Sequence, residues 1–316
     1  MSIEIKPSPL TDLLAVNGLL VIDGAMGTEL EVRGCNLNDK LWSAKVLLEN
    51  PELIYQVHLD YFRVGADFVI TSSYQASVAG FARRGLNEQQ ALALIAKSVE
   101  LAKQARTDYL NELKQAKTLL IAGSVGPYAT LLADGSEYRG DYQLLHDEFA
   151  AYHRPRIQAL VEAGVDFLCI ETIPSVSEVQ SQLKLLTEFP TMTACITFSL
   201  RDTEHLCDGT PLSAIIDQIN AQPQVVAIGV NCIALEKVTG ALKTLRRLTD
   251  RPLLVYPNSG EQYDPITKTW ISRNDIQSLV DHIDEWLEAG AKMIGGCCRT
   301  GPQDIQQIAA KLKQRT

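Results

Sequence analysis

The sequence predicts a (β/α)8 TIM barrel, one domain spanning residues 1–316, with its active site at the C-terminal ends of the strands. Three observations carry that expectation. Eight short apolar runs recur along the chain, stretches with the spacing of amphipathic helices separate them, and one helix-to-strand turn is used three times.

The first run is Leu19–Ile22. After it, Leu53, Val57, Tyr61 and Val64 step by 4, 4 and 3, the spacing of one helix face. Phe68–Ile70 is the second strand. Leu92, Ile95, Val99 and Ala102 step by 3, 4 and 3 and lead to the third, Leu119–Ala122. Phe167–Ile170, Ala194–Phe198, Val225–Val230 and Leu253–Tyr256 follow. Ile276, Val280, Ile283 and Leu287 step by 4, 3 and 4 before the eighth run, Met293–Gly296. Ile305, Ile308 and Leu312 continue the alternation. The runs are apolar on both faces, as buried parallel strands are. The repeated turn reads Val64-Gly65-Ala66-Asp67-Phe68, Ala163-Gly164-Val165-Asp166-Phe167 and Ala289-Gly290-Ala291-Lys292-Met293. Each places a Gly where a helix ends, in the left-handed position that stops it. A doubly wound open sheet would instead carry G-x-G-x-x-G after its first strand. Here that strand runs into Asp23-Gly24-Ala25-Met26-Gly27-Thr28, which lacks the spacing. The polar, Gly-containing segment Ala133–Tyr142 reads as a lid.

Composition narrows the function. Of 316 residues, 29 are Lys or Arg and 38 Asp or Glu, a net charge of −9, which argues against a partner that is nucleic acid or an anionic membrane. No apolar run approaches the ~20 residues of a membrane span. Met1–Leu10 has no apolar core of a signal peptide, so the expected location is the cytoplasm. Seven cysteines, an odd number, then read as metal-binding or catalytic rather than as a disulfide framework.

Residues just past the strands line the mouth of such a barrel. They are Asp23 and Gly24 after the first, Thr71 to Tyr74 after the second, Gly123 to Tyr128 after the third and Glu171 and Thr172 after the fourth. Asn231 and Cys232 follow the sixth, Asn258 to Glu261 the seventh, and Cys297, Cys298 and Arg299 the eighth. Neighbouring side chains of a regular strand point to opposite faces, so Cys297 and Cys298 share a metal only where the strand breaks. Gly295 and Gly296 permit such a break. With Cys232 they make a soft three-thiolate site suited to zinc, with a fourth position open as in catalytic sites. A vicinal disulfide or a packing pair is the other reading of Cys297 and Cys298. Cys169 and Cys195 lie inside apolar runs as small hydrophobes. Cys35 is incidental, and Cys207 and His205, after the fifth strand, are bystanders unless one serves as fourth ligand. Asp23 and Glu171 suit an amine, although Asp23 also reads as a cap.

At these residues the sequence resembles the homocysteine S-methyltransferases over nearly its whole length. The matching segments are Asp23-Gly24-Ala25-Met26-Gly27-Thr28-Glu29-Leu30, Ser124-Val125-Gly126-Pro127-Tyr128, Gly229-Val230-Asn231-Cys232, Tyr256-Pro257-Asn258-Ser259-Gly260-Glu261 and Gly295-Gly296-Cys297-Cys298-Arg299-Thr300. The resemblance is to the branch using S-methylmethionine or S-adenosylmethionine. Cobalamin-dependent and betaine-using relatives carry additions beyond the eighth helix, where this chain ends.

The resemblance implies one zinc ion on Cys232, Cys297 and Cys298, with homocysteine binding through its sulfur. It implies that Asp23, Glu171 and Asn231, with backbone at Gly24 and Ala25, hold the amino-acid end. Zinc holds a thiol as thiolate, so methyl transfer from a sulfonium requires no catalytic side-chain base. Trp42 and Tyr74 are candidates to hold the cationic donor by cation–π attraction, or else simply pack on neighbouring loops. Betaine-dependent transfer, or transfer to another thiol or a selenol, is the alternative on the same barrel. A non-catalytic thiol-zinc redox sensor is the alternative of another class, and it leaves Asp23 and Glu171 without a task. A lyase or aldolase would want a Lys or His at the strand ends, and none is there. Sequence is silent on oligomeric state and on the preferred donor.

Overall fold

The chain is represented by a computed structural model that describes residues 5–39, 41–260 and 278–315, together with the backbone of 262–264 and 269–271. Eight strands form one parallel sheet: β1 (Leu20–Val21), β2 (Phe68–Ile70), β3 (Leu120–Val125), β4 (Phe167–Ile173), β5 (Ala194–Phe198), β6 (Val225–Asn231), β7 (Leu253–Tyr256) and β10 (Ala291–Ile294). Between the last two, β8 (Gln262–Asp264) and β9 (Thr269–Ile271) pair as an antiparallel hairpin. The order around the sheet is β1-β10-β7-β6-β5-β4-β3-β2. A parallel bridge between Ile22 and Phe68 joins its two ends. The architecture is the barrel that the alternating pattern predicts.

The helical spacings also find their elements. Helix Pro51–Arg63 buries Val57 and Tyr61, helix Glu88–Leu113 buries Ile95, Val99 and Ala102, and helix Leu279–Glu288 buries Ile283. Ile276 lies outside the described residues. The repeated turn is real: Gly65, Gly164 and Gly290 have φ of 114°, 80° and 102°. That is backbone glycine adopts without a Cβ penalty. At Gly65 a Cβ would also lie 2.8 Å from the Cβ of Ala309 in the final helix.

Two features escaped the pattern. Helix Pro9–Asn17 precedes the barrel and starts at a Ser8 capping box. Its Leu10 and Leu13 join an interior cluster with Leu20, Phe68, Leu120 and Phe167, all near strand starts, so it plugs the N-terminal end of the barrel. Phe68 and Phe167 meet edge to face there at 5.3 Å. Each such buried ring contributes about 1.5–3 kcal/mol. Second, the functional strands run further than their apolar runs. β3 continues through Ser124 to Val125, β4 through Glu171 to Ile173, and β6 to Asn231. The side chains of these polar residues hydrogen-bond to neighbouring strands, Ser124 to Glu171 and Asn231 to Thr172 and Thr197. No helix among the described residues is long and apolar enough to cross a membrane.

Candidate metal and substrate site

The sulfur atoms of Cys232, Cys297 and Cys298 lie within 4.8 Å of one another. Cys232 Sγ and Cys298 Sγ are 3.6 Å apart. A tetrahedral zinc with Zn–S bonds of about 2.3 Å puts its sulfur ligands about 3.8 Å from each other. The Cys232–Cys298 separation is therefore close to the edge length of a zinc-thiolate tetrahedron, and Cys297 lies within 4.8 Å of both. All seven cysteines are free thiols, so the vicinal disulfide is not formed.

Local backbone explains the convergence. Cys232 caps β6 with φ 53°, and Arg299 after the pair has φ 66°. Such left-handed residues are costly unless their surroundings hold them. Here the Cys232 N–H donates to the Tyr256 carbonyl (3.1 Å) and the Cys297 N–H to the Pro257 carbonyl (2.7 Å). The Cys298 N–H donates to Asn258 Oδ1 at 3.2 Å. The two glycines act differently from the sequence expectation. Neither has positive φ among the residues that do. Instead a Cβ on Gly295 would lie 2.5 Å from Ile22 Cβ and 2.7 Å from the Asp23 carbonyl oxygen. The glycine lets β10 approach β1, and the Gly296 N–H then reaches that carbonyl at 3.1 Å.

Hydrogen bonds from Cys297 and Cys298 hold the Cys232 thiol well below its ordinary range, while the same contacts push Cys297 and Cys298 well above theirs. A divalent cation binding the three sulfurs would displace their remaining thiol protons. Tyr138 OH lies 3.1 Å from Cys232 Sγ. It comes from the short 3-10 turn Ser136–Tyr138, inside the segment whose composition reads as a lid.

Two carboxyls, Glu137 and Glu171, lie near Cys232. Burial pushes Glu171 up to about 7, against hydrogen bonds that pull the other way. Those bonds come from Ser124 Oγ to Oε1 and from Tyr256 OH to Oε2 at 3.2 Å. Burial also raises Glu137 to about 7. Its Oε2 is buried without a partner. Asp23 is raised well above the carboxylate range, again chiefly by burial. One of its oxygens accepts the Ile70 N–H at 2.9 Å, so it does serve partly as a strut. Buried carboxyls with unspent acceptors favour a cation, an ammonium or a metal, as neighbour.

The other expected residues divide. Gly24 lies against Tyr61, whose hydroxyl would sit 2.8 Å from a Cβ there. The Ala25 N–H already donates to the Thr300 carbonyl at 3.1 Å. Asn231 is buried, and its amide bonds to neighbouring strands. Oδ1 accepts from Thr172 N–H (2.9 Å) and Thr197 Oγ1 (2.7 Å), and Nδ2 donates to Thr172 Oγ1 (2.8 Å). Those bonds tie β6 to β4 and β5 directly beside Cys232. Trp42 packs its ring over Gly27. Tyr74 is surrounded by Glu137, Cys232 and Thr172. His205 turns to Asp202 at 2.8 Å, and Cys207 Sγ lies 3.6 Å from Ser199 Oγ. Neither belongs to the sulfur cluster. Cys169 is buried in the interior as expected but also meets Tyr256 OH at 3.2 Å. Glu261 lies outside the described residues. Glu137, Tyr138 and Tyr256 were missed because only residues directly past a strand were read as lining the mouth.

The model of one protein family, described as homocysteine S-methyltransferase, matches residues 20–312. The homocysteine S-methyltransferase of Escherichia coli K12 is 57% identical over 305 residues, 96% of this chain and 98% of that protein. The homocysteine S-methyltransferase YbgG of Bacillus subtilis is 50% identical over 96% of this chain and 97% of its own length. The crystal structure of the Escherichia coli homocysteine methyltransferase MmuM in its metallated form superposes with a TM-score of 0.88, at 56% identity, covering 96% of this chain and 99% of that one.

Proposed function

The chain belongs to the homocysteine S-methyltransferase family, and from that premise we propose that it moves a methyl group from a sulfonium donor, S-methylmethionine or S-adenosylmethionine, to the thiol of L-homocysteine, forming methionine. The observation that carries the reading is the cluster of three sulfurs at the barrel mouth with buried carboxyls beside it. We read residues 1–316 as one homocysteine-binding domain working in a reducing compartment such as the cytoplasm.

Cys232, Cys297 and Cys298 would hold one zinc ion, whose bound form keeps a substrate thiol deprotonated at neutral pH. An ordinary thiol, with pKa ~8.5, is mostly protonated there. In the transfer a bond forms between the homocysteine sulfur and the methyl carbon. The methyl–sulfonium bond breaks, and its electron pair returns to the donor sulfur. No side chain has to move a proton at that step, so the protein contributes position. Glu171, Glu137 and Asp23 would take the homocysteine ammonium, with the Gly24–Ala25 backbone alongside. Asn231 holds Thr172 and Thr197 in place. Tyr74, on the Cys232 side of the mouth, and Trp42 would face the cationic donor.

Methionine formation from homocysteine tests this with S-methylmethionine, S-adenosylmethionine and betaine offered in turn. Turnover with a sulfonium donor and none with betaine is the expected result. Turnover with betaine alone, or with no donor, overturns the proposal.

A further inference from the structure

A second polar cluster lies behind the mouth and the methyl-transfer chemistry does not use it. His153 and Arg156 sit three apart on helix His146–Glu162, and Glu178 sits on helix Val176–Leu186; all three are fully buried. Arg156 Nη2 is 2.8 Å from His153 Nδ1, and His153 Nε2 is 2.7 Å from Glu178 Oε1. A guanidinium only donates, so Nδ1 accepts and the ring proton sits on Nε2, facing the carboxylate. Burial also favours the neutral ring. One neutral imidazole thus links a buried cation to a buried anion, and both charges have bonds to spare for backbone.

Those bonds run to the mouth. Arg156 Nη1 donates to the Tyr74 carbonyl at 2.9 Å and Nη2 to the Gly126 carbonyl at 2.6 Å. Gly126 is itself shaped around Tyr74, since a Cβ there would lie 2.5 Å from the Tyr74 carbonyl and 2.7 Å from its ring. On the other side Glu178 Oε1 accepts the Tyr128 N–H at 2.6 Å, and Oε2 accepts the Tyr142 hydroxyl. Tyr142 closes the segment that carries Glu137 and Tyr138 to Cys232. Packing reinforces the anchor, with Tyr128 in ring contact with Tyr142, Phe149 and Tyr152. A lone buried ion pair of this kind costs desolvation that a well-packed apolar trio would avoid. It is explained by what it holds.

We propose that Arg156, His153 and Glu178 are positioning residues: the trio fixes Tyr74 from one end and the Glu137–Tyr138 segment from the other, so that both stand beside Cys232. The trio touches neither substrate nor metal ligand. Its kinetic consequence rests on the methyl-transfer reading; its structural consequence does not.

The test compares Glu178→Gln and Tyr142→Phe with the unaltered protein by amide hydrogen exchange, metal content and donor kinetics. Tyr142→Phe removes a single hydroxyl at the edge of the trio and keeps the test meaningful should Glu178→Gln fail to fold. Glu178→Gln is expected to speed exchange at residues 126–142 at least tenfold, with the strand amides and metal content unchanged, and to lower kcat/KM for the donor at least tenfold. Tyr142→Phe is expected to speed exchange within 133–142 alone. Unaltered exchange at 126–142 in both variants overturns the proposal, as does exchange that rises evenly through all strands with a falling Tm. Local loosening in a protein that methylates nothing sustains the positioning unit and removes the function instead.

Discussion

Replacing Asn231 by Ala separates a brace from a substrate contact. The side chain makes three buried bonds, at 2.9 Å to the Thr172 N–H, 2.7 Å to Thr197 Oγ1 and 2.8 Å to Thr172 Oγ1. Thr197 Oγ1 keeps Tyr256 OH at 2.9 Å, so its loss is partial. The Thr172 N–H, in a residue held at φ 61°, loses its partner outright. An orphaned buried N–H costs about 1–3 kcal/mol and each lost side-chain bond about 1 kcal/mol, a sum of roughly 3–5 kcal/mol. Cys232 is the next residue, itself at φ 53°, so the loosening reaches the first sulfur. Urea unfolding of Asn231→Ala beside Thr197→Val gives the stability loss, and a zinc titration gives the effect on the cluster. The expected outcome is the full loss for Asn231→Ala, about 1 kcal/mol for Thr197→Val, and weaker zinc binding in the first. Stability lowered by less than about 1 kcal/mol, with homocysteine KM raised and zinc retained, refutes the brace.

Gly295→Ala forces a Cβ to within 2.5 Å of Ile22 Cβ; strain of about 1–3 kcal/mol and loss of metal are expected, and unchanged unfolding and metal content count against the close-approach reading. Glu171 has its pKa raised by burial from 4.5 to about 7. Its folded state therefore holds the proton longer than the unfolded chain, and stability of the metal-free protein falls as pH rises between those values, by roughly 3 kcal/mol from this group. Glu137 and Asp23 contribute in the same direction, so Glu171→Gln should lessen the slope in pH-dependent unfolding, and an unaltered slope contradicts the assignment. Trp42→Ala should raise donor KM about two- to thirtyfold, the range of a cation–π contact, with metal content kept. An unchanged KM returns Trp42 to packing on Gly27.

The barrel was legible because its signal is repeated. Three glycines end three helices before three strands, and apolar runs of strand length recur eight times. The three clustered cysteines were legible for a chemical reason, since few side chains suit soft metals and three of them fall at strand ends. Strand lengths were not, because an apolar run stops at the first polar residue. Ser124, Glu171 and Asn231 stay in the ladder by bonding to other strands, which are distant in sequence. Glu137 and Tyr138 were hidden for a related reason. They lie well past β3 in an irregular segment, and only the fold brings that segment back onto β6. The segment's composition marked it as a lid but named no residue within it. The Arg156–His153–Glu178 trio left no local trace either, being spread over two helices.

Metal content measured against methyl transfer in the same preparations tests the central claim most directly. Under reducing conditions the account predicts about one zinc per chain and methionine formation with a sulfonium donor, both lost together in Cys298→Ser. A protein that methylates homocysteine at full rate without zinc, or a Cys298→Ser variant that keeps both metal and activity, would contradict it.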